Sequence, residues 1–109
     1  MYIVIDNKKI LIKKANTFYK RLIGLMGKKE INYGLLFRKT NSVHTFFMKE
    51  NIDIIGINKN NEVIFKAQNI SKNQIIKINN KIKNTSVLEL PKNTSKKIKI
   101  GDKLTFICE

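Results

Sequence analysis

The sequence predicts an α+β, β-dominated fold: a mostly antiparallel sheet of six to eight short strands with one short helix near residues 17–26. Three observations favour this class. Short runs rich in Ile, Val and Phe recur along the 109 residues. Asn, Asp and Gly separate these runs, as turn residues do, and a single segment has helical periodicity. The pattern is compatible with an open sheet and with a barrel-like one.

The predicted strands are short and separated by clear turn signals. Residues 2–5 and 10–14 flank the polar residues 6–9, which predicts a hairpin at the start of the chain. The Asn-Lys-Asn-Asn sequence at residues 58–61 predicts a second hairpin. The remaining candidate strands cover residues 35–37, 43–48, 52–57, 62–70, 75–78, 86–90 and 104–107.

The predicted helix covers residues 17–26. Asn16 can cap its N-terminus, and apolar side chains recur on one face at helical spacing. We expect Leu22, Leu25 and Met26 on that face to pack against the sheet.

Length and composition predict a single domain over residues 1–109 and a cytoplasmic location. The chain is long enough to bury one core without disulfides, and 42% of its residues are hydrophobic. The first residues lack the basic segment and long apolar run of a signal peptide. No apolar run approaches the roughly 20 residues that span a bilayer. Cys108 is the one cysteine.

The net charge of +14, from 22 Lys and Arg against 8 Asp and Glu, raises the hypothesis of nucleic-acid binding. Two observations disfavour it. Arg21 and Arg38 are the only arginines, whereas recognition of phosphates and base edges favours arginine. Lys, Asn and Ile are enriched together, as codons rich in A and T would produce. We interpret the lysines as solvated surface, spread along the chain in pairs.

No motif indicates a metal site or a cofactor. One His and one Cys cannot supply the ligands of a zinc tetrad. The five glycines are isolated, so there is no glycine-rich phosphate loop, and no Ser lies in a nucleophile-elbow pattern. We therefore expect no metal and no cofactor.

A few polar residues interrupt apolar runs and are candidates for a shared site. Burying a charge is costly unless the charge is paired. By strand alternation, His44 shares a face with Met48, and Asp53 lies on a face with isoleucines. Glu89 either points outward between two leucines or is buried with them. The candidate pocket or polar cluster consists of Arg21, His44, Met48, Asp53 and Glu89.

We expect at least two of the charged or titratable candidates to come within hydrogen-bond reach or to line one pocket. Asp53 in particular needs donors, which Arg21, Lys49 or backbone N–H groups could provide. As a structural brace, such a cluster would contribute to stability. As a site, it would contribute to binding or turnover.

Six motifs occur in a fixed order along residues 17–107: RLIGLM, GLLF, VHTFFM, IDII, VLELP and IGDKL. In this order the chain resembles the domain of unknown function 192, also known as uncharacterised protein family 0127. The resemblance implies a compact β-dominated domain with one short helix, and it implies no established activity or cofactor. Three sites depart from the family pattern. Glu50-Asn51 replaces the more apolar or Asn-Thr pair common after the Met-Lys segment. Gly56 replaces a large apolar residue, and Asn93 replaces a glycine that follows the Leu-Pro turn, although Asn also tolerates left-handed geometry.

The function remains unknown from sequence, and three classes stay open. The favoured one is a non-catalytic binding or accessory domain for a small molecule or a protein partner. The second is an enzyme that uses acid–base residues around His44, Asp53 and Glu89. The third, non-specific nucleic-acid binding, depends on the net charge alone.

Overall fold

The computed structural model describes residues 1–15, 31–46, 48–79 and 81–108. Nine strands run through these residues. They are β1 (Tyr2–Ile5), β2 (Lys8–Lys14), β3 (Gly34–Phe37), β4 (Ser42–His44), β5 (Ile52–Ile57), β6 (Val63–Ile70), β7 (Ile75–Lys77), β8 (Ser86–Pro91) and β9 (Phe106–Ile107).

Seven strands form one sheet in the order β6-β5-β8-β3-β2-β1-β9, and β4 pairs with β7 in a second, two-stranded sheet. Neighbouring strands are antiparallel except β2 and β3, which are parallel. Strands β5 and β8 are buried along nearly their whole length, because each has neighbours on both sides. These two central strands carry Asp53 and Glu89.

Turn residues set both predicted hairpins. Ile5 pairs with Lys8, so only Asp6 and Asn7 connect β1 to β2, fewer residues than the predicted connection of four. Both have positive φ, 52° and 64°, as a type I′ turn requires. Between β5 and β6, Asn58 Oδ1 accepts from the backbone N–H groups of Asn60 (2.9 Å) and Glu62 (3.0 Å).

The core has two parts, one on each face of the seven-stranded sheet. The first part includes Ile3, Ile5, Ile12, Leu36, Ile55, Leu88, Leu90 and Ile98. The second part includes Leu35, Phe37, Val43, Met48, Ile52, Ile54, Ile78 and Val87. Alternate residues of each central strand enter the two parts, because successive side chains of a strand point to opposite faces.

The predicted α+β class is wrong for the described residues, which contain nine strands and no helix. We expected a helix to cover one face of the sheet. Instead Val43 of β4, together with Ile78 just after β7, packs on the second part of the core. The helix predicted at residues 17–26, with Leu22, Leu25 and Met26, lies outside the described residues.

The barrel-like alternative is also wrong, since the described strands form an open sheet. A barrel needs hydrogen-bonded pairing all the way round. The strand order begins at β6 and ends at β9, and within the described part of the chain these two strands do not pair.

The strand predicted at residues 43–48 ends early, at His44. The cause is Thr45, which is fully buried. Its hydroxyl donates to the Ser71 carbonyl (2.8 Å) and accepts from Gln74 N–H (2.9 Å), and its own carbonyl accepts from Met48 N–H (3.3 Å). These bonds turn the chain, so the predicted alternation of His44 and Met48 along one strand does not hold.

Gly56 leaves room for two neighbours. A Cβ at this position would lie 2.5 Å from Ile78 Cδ1 and 3.0 Å from Phe65 Cβ. We expect Gly56→Ala to lower the free energy of unfolding by about 1–3 kcal/mol, the usual cost of overpacking a core. Urea unfolding measures this loss.

A double variant tests the cause of that loss. Ile78→Val removes the atom that a Cβ at residue 56 would strike, at a cost of about 0.5–1.5 kcal/mol by itself. The double variant Gly56→Ala/Ile78→Val should lose less stability than the sum of the two single losses, because Ile78→Val relieves the clash. Simple additivity would contradict the steric explanation.

Candidate functional site

Asp53 is a fully buried carboxylate at an irregular point of the sheet. It lies in β5 opposite Leu90 of β8. On its other side, two residues of β6, Gln68 and Asn69, stand opposite it, because the pairing shifts between Ile52 and Ile54. Asn69 has a φ of 55°, as a bulge residue in the left-handed region does.

The Asp53 carboxylate accepts four hydrogen bonds from described residues. Oδ1 accepts from the N–H groups of Asn69 (2.8 Å) and Asn93 (3.1 Å). Oδ2 accepts from Ser95 N–H (3.0 Å) and from the Ser95 hydroxyl. Three backbone donors and one hydroxyl therefore satisfy a charge that would otherwise be costly to bury. Backbone N–H groups, one of the kinds of donor predicted for Asp53, bind its carboxylate.

These bonds fix the loop that follows β8. Lys66 Nζ of β6 donates to the carbonyls of Lys96 (3.2 Å) and Ile98 (2.7 Å). Asp53 thus binds N–H groups of the loop while Lys66 binds its carbonyls. Asn93 has a φ of 66°, so this asparagine takes the left-handed conformation at the position where the family resemblance implies a glycine.

The loop forms one wall of a cleft of about 340 Å³, and the β1–β2 turn forms the other. We call it the basic cleft. The described residues that line it are Ile5, Asp6, Lys8, Lys9, Ile10, Lys92, Asn93, Thr94, Lys96 and Lys97. Five lysines and one aspartate give this lining a formal charge of +4.

Two of these lysines form ion pairs. Lys97 Nζ lies 3.2 Å from Asp6 Oδ2, and Lys92 Nζ lies 3.2 Å from Glu50 Oε2. Lys9 Nζ lies 5.8 Å from the centre of the Tyr2 ring. Exposed pairs of this kind are weak, so a ligand can exchange them at low cost.

Glu89 is buried in β8 between Leu35 of β3 and Ile54 of β5, its partners in register. Its Oε1 has no hydrogen-bond partner among the described residues. Burial raises the pKa of Glu89 to about 8, because desolvation disfavours the charged form. Of the two orientations considered, the structure has the buried one.

Asp53 and Glu89 lie on opposite faces of the sheet. Asp53 is in register with Leu90, whereas Glu89 is in register with Ile54. Since adjacent residues of a strand point to opposite faces, Asp53 points to the face of Leu90 and Glu89 to the other. Met48 is buried on the same face as Glu89, within the second part of the core.

His44 is half-buried and stacks on Phe46, with ring centres 5.0 Å apart. Its Nδ1 accepts from Phe46 N–H at 3.2 Å. Arg21 lies outside the described residues, so a cluster of Arg21 with the other candidates stays a prediction. No group of three or more His, Cys, Asp or Glu in the described ranges could hold a metal ion.

The basic cleft is the feature that sequence reasoning missed. The pairs Lys8-Lys9 and Lys96-Lys97 were interpreted as dispersed surface charge, yet the fold places them around one cavity. The local turn signals at residues 6–7 and 91–93 were visible. Which turns are neighbours in space depends on the strand order, which a single sequence does not reveal.

Comparison with known proteins identifies relatives across much of the chain. A UPF0127 protein of Thermococcus sibiricus is 41% identical over 59 residues, covering 49% of this chain and 38% of its own length. A UPF0127 protein of Pyrococcus furiosus is 42% identical over 62 residues, covering 51% of this chain and 53% of its own length. The match therefore spans about two-fifths to half the length of these curated relatives.

Two solved structures share the fold. A protein of unknown function from Novosphingobium aromaticivorans superposes with a TM-score of 0.78 at 19% identity, covering 96% of this chain and 82% of the other. A Sinorhizobium meliloti protein described as a candidate transcription regulator superposes with a TM-score of 0.79 at 19% identity, covering 95% and 89%.

The part of the chain that the structure describes holds no helix long and apolar enough to cross a bilayer.

The sequence profile of DUF192, described as an uncharacterized ACR, matches residues 1–106. The family profile matches nearly the whole chain, and UPF0127 relatives match about half of it, in agreement with the six ordered motifs. This chain belongs to the DUF192 family.

Proposed function

We propose that this chain is a non-catalytic binding domain and that its ligand is a small anionic molecule held in the basic cleft. The observation that carries the proposal is the convergence of five lysines around one cavity of about 340 Å³. A cavity of this volume is in the range of small-molecule sites. Lysine binds phosphate and carboxylate groups as a point charge.

The anchoring of the loop supports this proposal. Lys92, Lys96 and Lys97 belong to a segment whose backbone is held by Asp53 and Lys66. Ligand binding then need not order this backbone, which lowers the entropic cost of association.

Calorimetric titration with inorganic pyrophosphate at low, matched ionic strength tests the proposal. We expect saturable binding to the wild-type protein. Lys8→Ala and Lys96→Ala should each weaken it by roughly two- to fivefold, because exposed ion pairs contribute about 0.2–1 kcal/mol each. The thermal midpoint should rise with pyrophosphate concentration, because only the folded state binds.

Lys59→Ala is the matched control. Lys59 is exposed in the β5–β6 turn and does not line the cleft, but its loss changes the net charge by the same amount. Its binding constant should stay close to that of the wild type. An equal loss in all three variants, or no saturable binding, would contradict the proposed site.

Nucleic-acid binding is the second candidate, favoured by the net charge of +14 and by the description of one structural neighbour as a candidate transcription regulator. The lining argues against a single-stranded nucleic acid, because its described residues include isoleucines but no aromatic ring on which a base could stack. Binding from charge alone would weaken steeply with rising salt and lack base preference.

The geometry gives little support to the enzyme alternative. An acid and a base must both reach the reacting atoms, but Asp53 and Glu89 lie on opposite faces of the sheet. Asp53 is also occupied by four donors. The contacts of Asp53 support its role as a structural brace that positions the cleft loop.

A further inference from the structure

Among the described residues that line the basic cleft, Asp6 is the one carboxylate. Its Oδ2 lies 3.2 Å from Lys97 Nζ, and the two side chains are 50% and 71% exposed. A carboxylate in contact with lysine presents the oxygen atoms that a bound phosphate group would present. Asp6 therefore occupies a position where the proposed ligand would bind.

The turn holds Asp6 at this position. Asp6 and Asn7 form the two-residue connection between β1 and β2, and the pairing of Ile5 with Lys8 fixes its geometry. The φ of 52° at Asp6 is one that asparagine also adopts readily. Asp6→Asn can thus remove the charge while it preserves the backbone.

The charge and volume of the cleft indicate which ligand group would take the place of the Asp6 carboxylate. A phosphate group carries up to about −2 at neutral pH, so two linked phosphates match the lining charge of +4 more closely than one. Ile5 and Ile10 add a small apolar surface. The volume of about 340 Å³ suits a compact ligand.

We infer that the basic cleft binds a small molecule with two or more linked phosphate groups, and that Asp6 is a built-in competitor which such a group displaces from Lys97. This inference rests on the proposed function. Asp6 lowers the affinity for the ligand in two ways, because it occupies Lys97 and because it repels an incoming anion. Removal of its charge should therefore strengthen binding.

Titration of wild-type protein, Asp6→Asn and Glu62→Gln with inorganic pyrophosphate and inorganic phosphate tests this inference. The wild type should bind pyrophosphate more tightly than phosphate. Asp6→Asn should bind pyrophosphate roughly two- to fivefold more tightly than the wild type. Glu62→Gln loses the same charge outside the cleft and keeps an oxygen acceptor for Asn58, so its affinity should change far less.

The outcomes separate the two proposals. If no protein binds pyrophosphate, the proposed function fails. If pyrophosphate binds and Lys8→Ala weakens it, but Asp6→Asn gives no gain over Glu62→Gln, the proposed function stands and the role of Asp6 is overturned. Equal affinity for phosphate and pyrophosphate, or tighter binding of a short oligo(dT), would overturn the ligand class.

Discussion

The Glu89→Gln variant is expected to keep a nearly constant stability between about pH 4.5 and pH 8, where the wild-type protein becomes progressively less stable. The reason is the buried carboxyl group of Glu89, whose pKa burial raises from 4.5 to about 8. Glutamine has almost the same shape and does not titrate. Urea unfolding of both proteins across this pH range measures the effect.

The direction follows from proton binding. Between the two pKa values the folded protein keeps the Glu89 proton while the unfolded chain has lost it, so a rise in pH favours the unfolded chain. The contribution is fully present below about pH 4.5 and is lost by about pH 8. The loss is on the order of 4 kcal/mol, since one pH unit between the pKa values corresponds to about 1.4 kcal/mol.

The informative quantity is the difference in slope, because the Gln amide has its own cost of burial. Glu62→Gln makes the same chemical change at a partly exposed residue of the β5–β6 turn and serves as the control. Parallel pH profiles for wild type and Glu89→Gln would show that Glu89 ionises in the folded protein much as it does in the unfolded chain.

Much of the strand content was predictable from the sequence because its signals are local. The strands on either side of residues 58–61 follow from isoleucine-rich runs and an asparagine turn, and both are present. The strand at residues 43–48 was predicted too long. Composition favours a strand there, but the buried hydroxyl of Thr45 binds the backbone and turns the chain after His44.

The fold class and the cleft were harder to predict, since both depend on which segments become neighbours. Sequence patterns did not reveal that Val43 and Ile78 would pack in the second part of the core. They did predict that a buried Asp53 needs donors. They did not show that most of those donors come from a loop about 40 residues further along the chain, which carries Lys92, Lys96 and Lys97 of the cleft.

We expect Asp53→Asn to lower the free energy of unfolding by about 3–5 kcal/mol, the usual cost of breaking a buried charged network. Four donors converge on the carboxylate, and an amide offers one oxygen while its NH₂ group faces donors. Urea unfolding measures the loss. Asp102→Asn is the matched control. Its exposed carboxylate accepts one N–H bond, from Lys99 at 2.9 Å, so the cost should be about 1 kcal/mol or less.

The same variant tests whether Asp53 positions the basic cleft. If Asp53 holds the loop for binding, pyrophosphate affinity measured on fully folded protein should fall in Asp53→Asn, although Asp53 does not line the cleft. Ser95→Ala removes the Ser95 hydroxyl donor and leaves the backbone bonds, so both its stability and its affinity should lie between those of Asp53→Asn and the wild type. A stable Asp53→Asn protein, less than about 1 kcal/mol from the wild type, would contradict the brace. If stability falls but affinity does not change, Asp53 contributes to stability alone. Lys66 and the β1–β2 turn would then position the lysines of the cleft.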